Sequence, residues 1–172
     1  TSNAIFADGA SSVLIQGAPT THKYFRLDHF HSDLLPQSNQ EMAWHITDSG
    51  FDMILSTYVP QIIGNGIEAF LQKMNELAQI SMDDIDYYAI HPGAQKILKA
   101  CEKALNITSE QNKHSYDVLE NYGNMSSATI LFVLKNIWEE VNTTEHHNKN
   151  IFSCAFGPGL TLESMMLKTN YV

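Results

Sequence analysis

Three short segments hold the side chains best suited to chemistry: His91-Pro92-Gly93, Gly123-Asn124-Met125-Ser126-Ser127-Ala128-Thr129, and Phe156-Gly157-Pro158-Gly159-Leu160-Thr161-Leu162-Glu163. His91 follows the run Asp86 to Ile90, which reads as a buried strand. Its imidazole is therefore expected at a strand's C-terminal end, where sites of α/β proteins gather. Pro92 biases the residue before it toward extended backbone, and Gly93 permits a sharp turn. A single histidine there is more often a hydrogen-bonded structural residue than a catalyst. Asn124, with Ser126 and Ser127, reads on its own as a helix N-cap. The helix that follows is so apolar that it must be buried, and a polar amide at its mouth needs partners or a ligand. Together the two residues have a chemical logic. A neutral imidazole N–H and an amide N–H aimed at one oxygen stabilise an enolate without protonating the carbanion. The third segment reads either as a hairpin turn or as a backbone-lined wall beside a bound chain.

The elements that must position these segments alternate between strand and helix. Ser12 to Ile15 is short, β-rich and bounded by glycines, which predicts a strand. Lys23 to Ser32 alternates roughly and predicts a partly exposed strand. Residues 36–40 form a loop. Met42 to Thr47 and Phe51 to Leu55 form a strand pair around Asp48-Ser49-Gly50. From Pro60 onward, Ile63, Ile67, Phe70, Met74 and Leu77 recur at helical spacing, and Pro60 suits a first turn. Gln95 to Leu105 and Glu110 to Glu120 predict two more helices. Met125 to Val141 has almost no polar face, so it predicts a helix buried on most sides. Ile151 to Phe156 and Leu160 to Lys168 predict two final strands. The fold class is α/β, with a mixed sheet, a buried central helix and one domain over residues 1–172.

Bulk composition narrows the function. A length of 172 residues, 44% of them hydrophobic, suits one soluble domain with a real core. A formal charge of -9 with scattered basic residues argues against nucleic acid as a partner. No apolar run approaches the ~20 residues of a membrane span. Two cysteines, Cys101 and Cys154, make no disulfide framework, and a reducing cytoplasm is the expected location. Asp28, His29, His31 and Asp33 invite a metal site, but a solvated strand accounts for them better, so no metal is expected. Ser2-Asn3-Ala4 fits a cloning scar and also runs naturally into Ile5-Phe6-Ala7-Asp8-Gly9. Either way the chain opens abruptly in an apolar segment, as a fragment does.

In order and spacing, the three segments resemble the C-terminal half of the chalcone synthase-like type III polyketide synthases, condensing enzymes of the thiolase fold. Ile5-Phe6-Ala7-Asp8-Gly9-Ala10 resembles the segment that opens that half. The resemblance implies that His91 and Asn124 stabilise the enolate formed when a malonyl thioester loses carbon dioxide. It implies that Phe6 is an aromatic gatekeeper. It also implies that Ser126, Gly50 and the Gly157-Pro158-Gly159 loop shape the cavity where the chain grows. The implied partners are an acyl-CoA starter and malonyl-CoA, with coenzyme A as carrier, no other cofactor, and a homodimeric complete enzyme. Ala94, Ala7 and Ala155 stand where the family often has glycine, and none of these changes removes a catalytic group.

The larger departure concerns the nucleophile. The family's cysteine belongs to its first half, upstream of the segments found here. Cys101 falls on an apolar helix face and Cys154 in an inner strand, so both are expected to be inert core thiols. The chain alone is expected to form no acyl-enzyme. A β-ketoacyl synthase-like condensing enzyme, which shares a His and an Asn at related places, is a close alternative. A non-catalytic thiolase-fold dimerisation module is the alternative from another class.

Overall fold

The computed structural model describes residues 4–36 and 38–171. Thr1 to Asn3, with most of the suspected scar, lie outside the described residues, as does residue 37 in the expected loop. Among the described residues six strands and four α-helices follow in the order β1 (Lys23–Leu34), β2 (Met42–Thr47), β3 (Gly50–Leu55), α1 (Val59–Ala78), β4 (Ile85–Ile90), α2 (Gln95–Leu105), α3 (Lys113–Tyr122), α4 (Thr129–Glu140), β5 (Asn150–Gly157) and β6 (Thr161–Tyr171). Four strands make one sheet in the order β1-β6-β5-β4, and β2 pairs with β3 as a separate antiparallel hairpin. In the main sheet β4 and β5 run parallel, whereas β5–β6 and β1–β6 are antiparallel.

Strand alternation divides the core into two layers. Tyr88, Ile90, Phe152, Cys154, Leu162 and Met166 face α1 and α2. Ala89, Ile151 and Leu167 face α4, with Val133, Leu134 and Ile137. Successive side chains of a strand point to opposite faces, so a sheet covered on both sides is apolar at nearly every inner position. The helix α1 buries Ile63, Ile67, Phe70, Leu71 and Met74, as its spacing predicts, with a proline in its first turn. Leu77 departs from that expectation. It is 52% exposed, and Leu71 takes its place on the buried face.

Two further expectations need correction. Ser12 to Ile15 is not a strand: it lies outside both sheets, with Val13, Leu14 and Ile15 exposed. A strand needs a partner for its backbone groups, and none of the described residues supplies one. The apolar helix α4 is buried along one face only. Thr129, Val133, Leu134 and Ile137 are buried, and Ile130, Leu131 and Phe132 are half-buried. It also begins later than expected, after a single 3-10 turn at Ser126–Ala128. The acids of β1 are engaged in ion pairs, Asp28 with Arg26 and Asp33 with Lys73. Among the described residues no helix is long and apolar enough to cross a membrane.

Candidate active site

His91 leaves the C-terminal end of β4. Its backbone N–H donates to the Cys154 carbonyl at 2.8 Å, which extends the β4–β5 pairing by one residue. The Gly93 N–H then returns to the His91 carbonyl at 2.9 Å, closing a three-residue turn. A side chain at Gly93 would meet Ile97 Cδ1 at 3.1 Å and approach the imidazole at 3.6 Å. The turn and the absent side chain together make room for the ring. Burial pushes the His91 pKa down to about 4. The imidazole is thus neutral at pH 7 and holds one ring N–H as a donor.

Asn124 reaches the same place from the connection between α3 and α4. The helix α3 ends at Gly123, whose φ of 72° is a left-handed conformation that glycine adopts at no steric cost. There is little space for a side chain either, since a Cβ would lie 3.0 Å from the Ile5 carbonyl oxygen. The backbone of Asn124 donates to Ile5 O and accepts from the Ala7 N–H, both at 2.9 Å, so Phe6 is bridged directly to Asn124. The side chain is 5% exposed. Its Oδ1 accepts the Ser126 N–H at 2.9 Å, and its Nδ2 donates to the Gly93 carbonyl at 3.1 Å. One backbone donor and one backbone acceptor fix which end of the amide is nitrogen. An amide nitrogen carries two hydrogens, so one remains for a guest. The expected N-cap geometry is absent. Asn124 holds Ser126 in a tight local turn, and Ser126 itself has a φ of 58°.

His91 and Asn124 line one cavity of about 390 Å³. Phe6, Ser126, Gly157 and Pro158 line it too. Two expected residues do not. Gly50 lies at the exposed turn of the β2–β3 hairpin, with a φ of 139°. Gly159 stands behind the wall, where a side chain would meet Leu34 Cδ1 at 2.9 Å. Next to it, the Leu160 N–H donates to the buried Ser38 hydroxyl at 2.6 Å. That bond ties the glycine loop to the segment after β1. Gly159 therefore shapes the cavity indirectly, through the path of its loop.

Sequence reasoning missed most of the opposite wall. Met42, Trp44, Met53 and Leu55 of the hairpin line the cavity, with Trp44 opposite Met53 and Met42 opposite Leu55. Alternation along the two strands held the signal, because residues two apart share a face. Glu163 on β6 also lines the cavity. Cys101 and Cys154 are buried elsewhere, and burial raises both thiols, Cys101 to about 12 and Cys154 well above its ordinary value.

Comparison with known proteins identifies the family. Residues 26–170 match the family model for the C-terminal domain of chalcone and stilbene synthases. "Type III polyketide synthase B" of Arabidopsis thaliana is 32% identical over 174 residues, covering 96% of this chain and 44% of that protein. "Putative chalcone synthase" of Bacillus subtilis is 30% identical over 169 residues, covering 95% and 46%. Among solved structures, PKS-I of the brown alga Ectocarpus siliculosus superposes with a TM-score of 0.79 at 26% identity, over 96% of this chain and 45% of that one. The C-terminal type III polyketide synthase domain of Steely1 from Dictyostelium gives a TM-score of 0.76 at 32% identity, over 86% and 41%. The chain thus spans a little under half the length of the relatives it matches.

Proposed function

The chain belongs to the chalcone and stilbene synthase family, through that family's C-terminal domain, and from that premise we propose that it forms half of a polyketide-making condensing site. The observation that carries this is the shared cavity of a neutral His91 and a backbone-fixed Asn124 amide. An acyl group from a coenzyme A starter is loaded onto a cysteine that the other half of the family's length provides. A malonyl-CoA then enters. Its terminal C–C bond breaks, carbon dioxide leaves, and the bonding pair moves onto the thioester carbonyl to give an enolate. The His91 and Asn124 N–H donors receive that oxygen. The enolate carbon attacks the acyl thioester, a C–C bond forms, and the cysteine leaves as thiolate.

Neutral donors suit this task. An imidazolium would hand the carbanion a proton, and a His91 pKa near 4 keeps that form scarce at neutral pH. Each donor is expected to be worth ~2.7–4 kcal/mol of barrier, the usual value for one oxyanion-hole bond. Coenzyme A is the carrier, and the chemistry calls for no metal or redox group. The complete enzyme acts as a homodimer in the cytoplasm, in keeping with the family resemblance.

The test uses the protein expressed from its full coding frame. Malonyl-CoA decarboxylation and product formation are followed in the native sequence, His91→Ala and Asn124→Ala. A loss of about a hundredfold or more in each variant supports the assignment. Unchanged decarboxylation in both would remove these residues from the chemistry.

A further inference from the structure

Among the residues lining the cavity, Glu163 is the one acidic or basic side chain besides His91, which is neutral. It sits on β6 with Ala155 of β5 opposite it, and Ala155 lines the same cavity. Glu163 is itself exposed, between the buried Leu162 and Ser164. On its other flank Ser32 of β1 is its register partner, and the Ser32 hydroxyl donates to one carboxylate oxygen, Oε2. The other oxygen has no hydrogen-bond partner among the described residues, and no cation there pairs with Glu163. Phe6, Met42, Trp44, Met53, Leu55 and Ile130 make the apolar part of the lining, and Ser126, Ser127 and Thr161 add hydroxyls beside His91 and Asn124.

We propose that Glu163 selects the acyl group by charge, rejecting chains that end in a carboxylate and favouring chains that end in a hydroxyl. This rests on the reading of the cavity as an acyl-binding site. A carboxylate only accepts hydrogen bonds, so ketone oxygens gain nothing from it. A hydroxyl donor gains a charge-assisted bond. A second carboxylate brought against Glu163 meets a like charge, and because Glu163 is exposed that repulsion is one that salt screens. Loading precedes malonyl-CoA and involves no malonyl group, so the test below reads the starter chain alone.

The experiment measures loading alone. Full-length protein and Glu163→Gln are mixed with hexanoyl-, 6-hydroxyhexanoyl- or adipoyl-CoA, three chains of equal length with different ends. The nucleophile attacks the thioester carbonyl, coenzyme A leaves as its thiol, and the acyl-enzyme is followed by intact mass. The native protein is expected to load hexanoyl over adipoyl by about tenfold or more, and Glu163→Gln to shrink that ratio by about tenfold. The hydroxyl chain's advantage over hexanoyl falls in the same variant. As a check independent of folding, the native adipoyl rate rises relative to hexanoyl at high salt, because salt screens the repulsion. Equal ratios in both proteins, or no salt effect, overturn the proposal. If the native protein loads none of the three chains, the acyl-binding reading fails and this inference with it.

Discussion

The side-chain amide of Asn124 donates to the carbonyl of Gly93, so the residue two places after His91 anchors the second donor of the pair. The two donors therefore do not sit on independent supports. The β4 turn places the imidazole and, through Gly93, also orients the amide. Asn124→Asp tests this coupling. It keeps the size but replaces the nitrogen with an oxygen that faces the Gly93 carbonyl. The variant is expected to lose about 1–3 kcal/mol of folding stability, because a buried carbonyl is left unpaired against an acceptor. In the full-length protein malonyl-CoA decarboxylation is expected to fall about a hundredfold or more, and starter loading much less. Chemical unfolding and the two half-reactions, measured separately, check it. Equal losses in loading and decarboxylation would mean that the variant has damaged the fold instead of the donor.

Burial of His91 links stability to pH. Its pKa falls from 6.5 to about 4 on folding, so the unfolded chain binds the proton more tightly. Stability is therefore complete above pH 6.5 and is lost as the pH falls toward 4. The span corresponds to roughly 3 kcal/mol. His114, also depressed by burial, acts in the same direction. Asp28, Asp33 and Asp84 are held below their ordinary value by hydrogen bonds and ion pairing, so they contribute at lower pH. Urea midpoints at pH 7, 5 and 4 are expected to drop steeply for the native chain and less steeply for His91→Gln. Parallel slopes for the two would show that His91 is not the source.

Much of this site was legible because its local signals are short-range. Asp86 to Ile90 is an unbroken β-rich run ending at Pro-Gly, so His91 could be placed at a strand end. The glycines at 123 and 157 stand where the backbone turns or lines a cavity. What was illegible depends on partners. Val13, Leu14 and Ile15 have strand-forming side chains, but whether they pair depends on a neighbour that spacing does not reveal. Gly50 was placed in the cavity, whereas Met42 to Thr47, Trp44 among them, were read only as a strand. The hairpin reverses that assignment, because its tip projects away and its flanking pairs turn inward. The Ser38 contact to the glycine loop joins residues far apart in sequence, and a lone serine in a loop gives no sign of it.

Trp44 is the bulkiest side chain on the hairpin wall. It is 57% exposed and packs edge-on against Phe51 with ring centroids 6.5 Å apart. Its contacts to the rest of the fold are few, so Trp44→Ala is expected to cost less than the 3–5 kcal/mol of a buried tryptophan. Its effect should appear in the cavity. In the full-length protein, Trp44→Ala is expected to accept starter chains longer by several carbons or to make larger products. Product masses over a series of acyl-CoA lengths check it. An unchanged length profile would mean that the wall is set by Met42, Met53 and Leu55 alone.

The two cysteines test whether this chain can load an acyl group by itself. A thiol attacks as its thiolate. With a pKa near 12, Cys101 holds about one part in ten thousand in that form at pH 8. Cys154, fully enclosed between β4 and β6, is also raised well above its ordinary value by burial. Neither lines the cavity, and Cys154 offers the site only its backbone carbonyl, to His91. Iodoacetamide is therefore expected to leave both unmodified in the folded chain and to label both in urea. Incubation of the folded chain with an acyl-CoA should leave its mass unchanged. Acylation of Cys101 or Cys154 in the folded state would make this chain self-sufficient and would move the loading step to a place the cavity does not reach. Protection of both agrees with the proposal that the nucleophile lies outside these two cysteines.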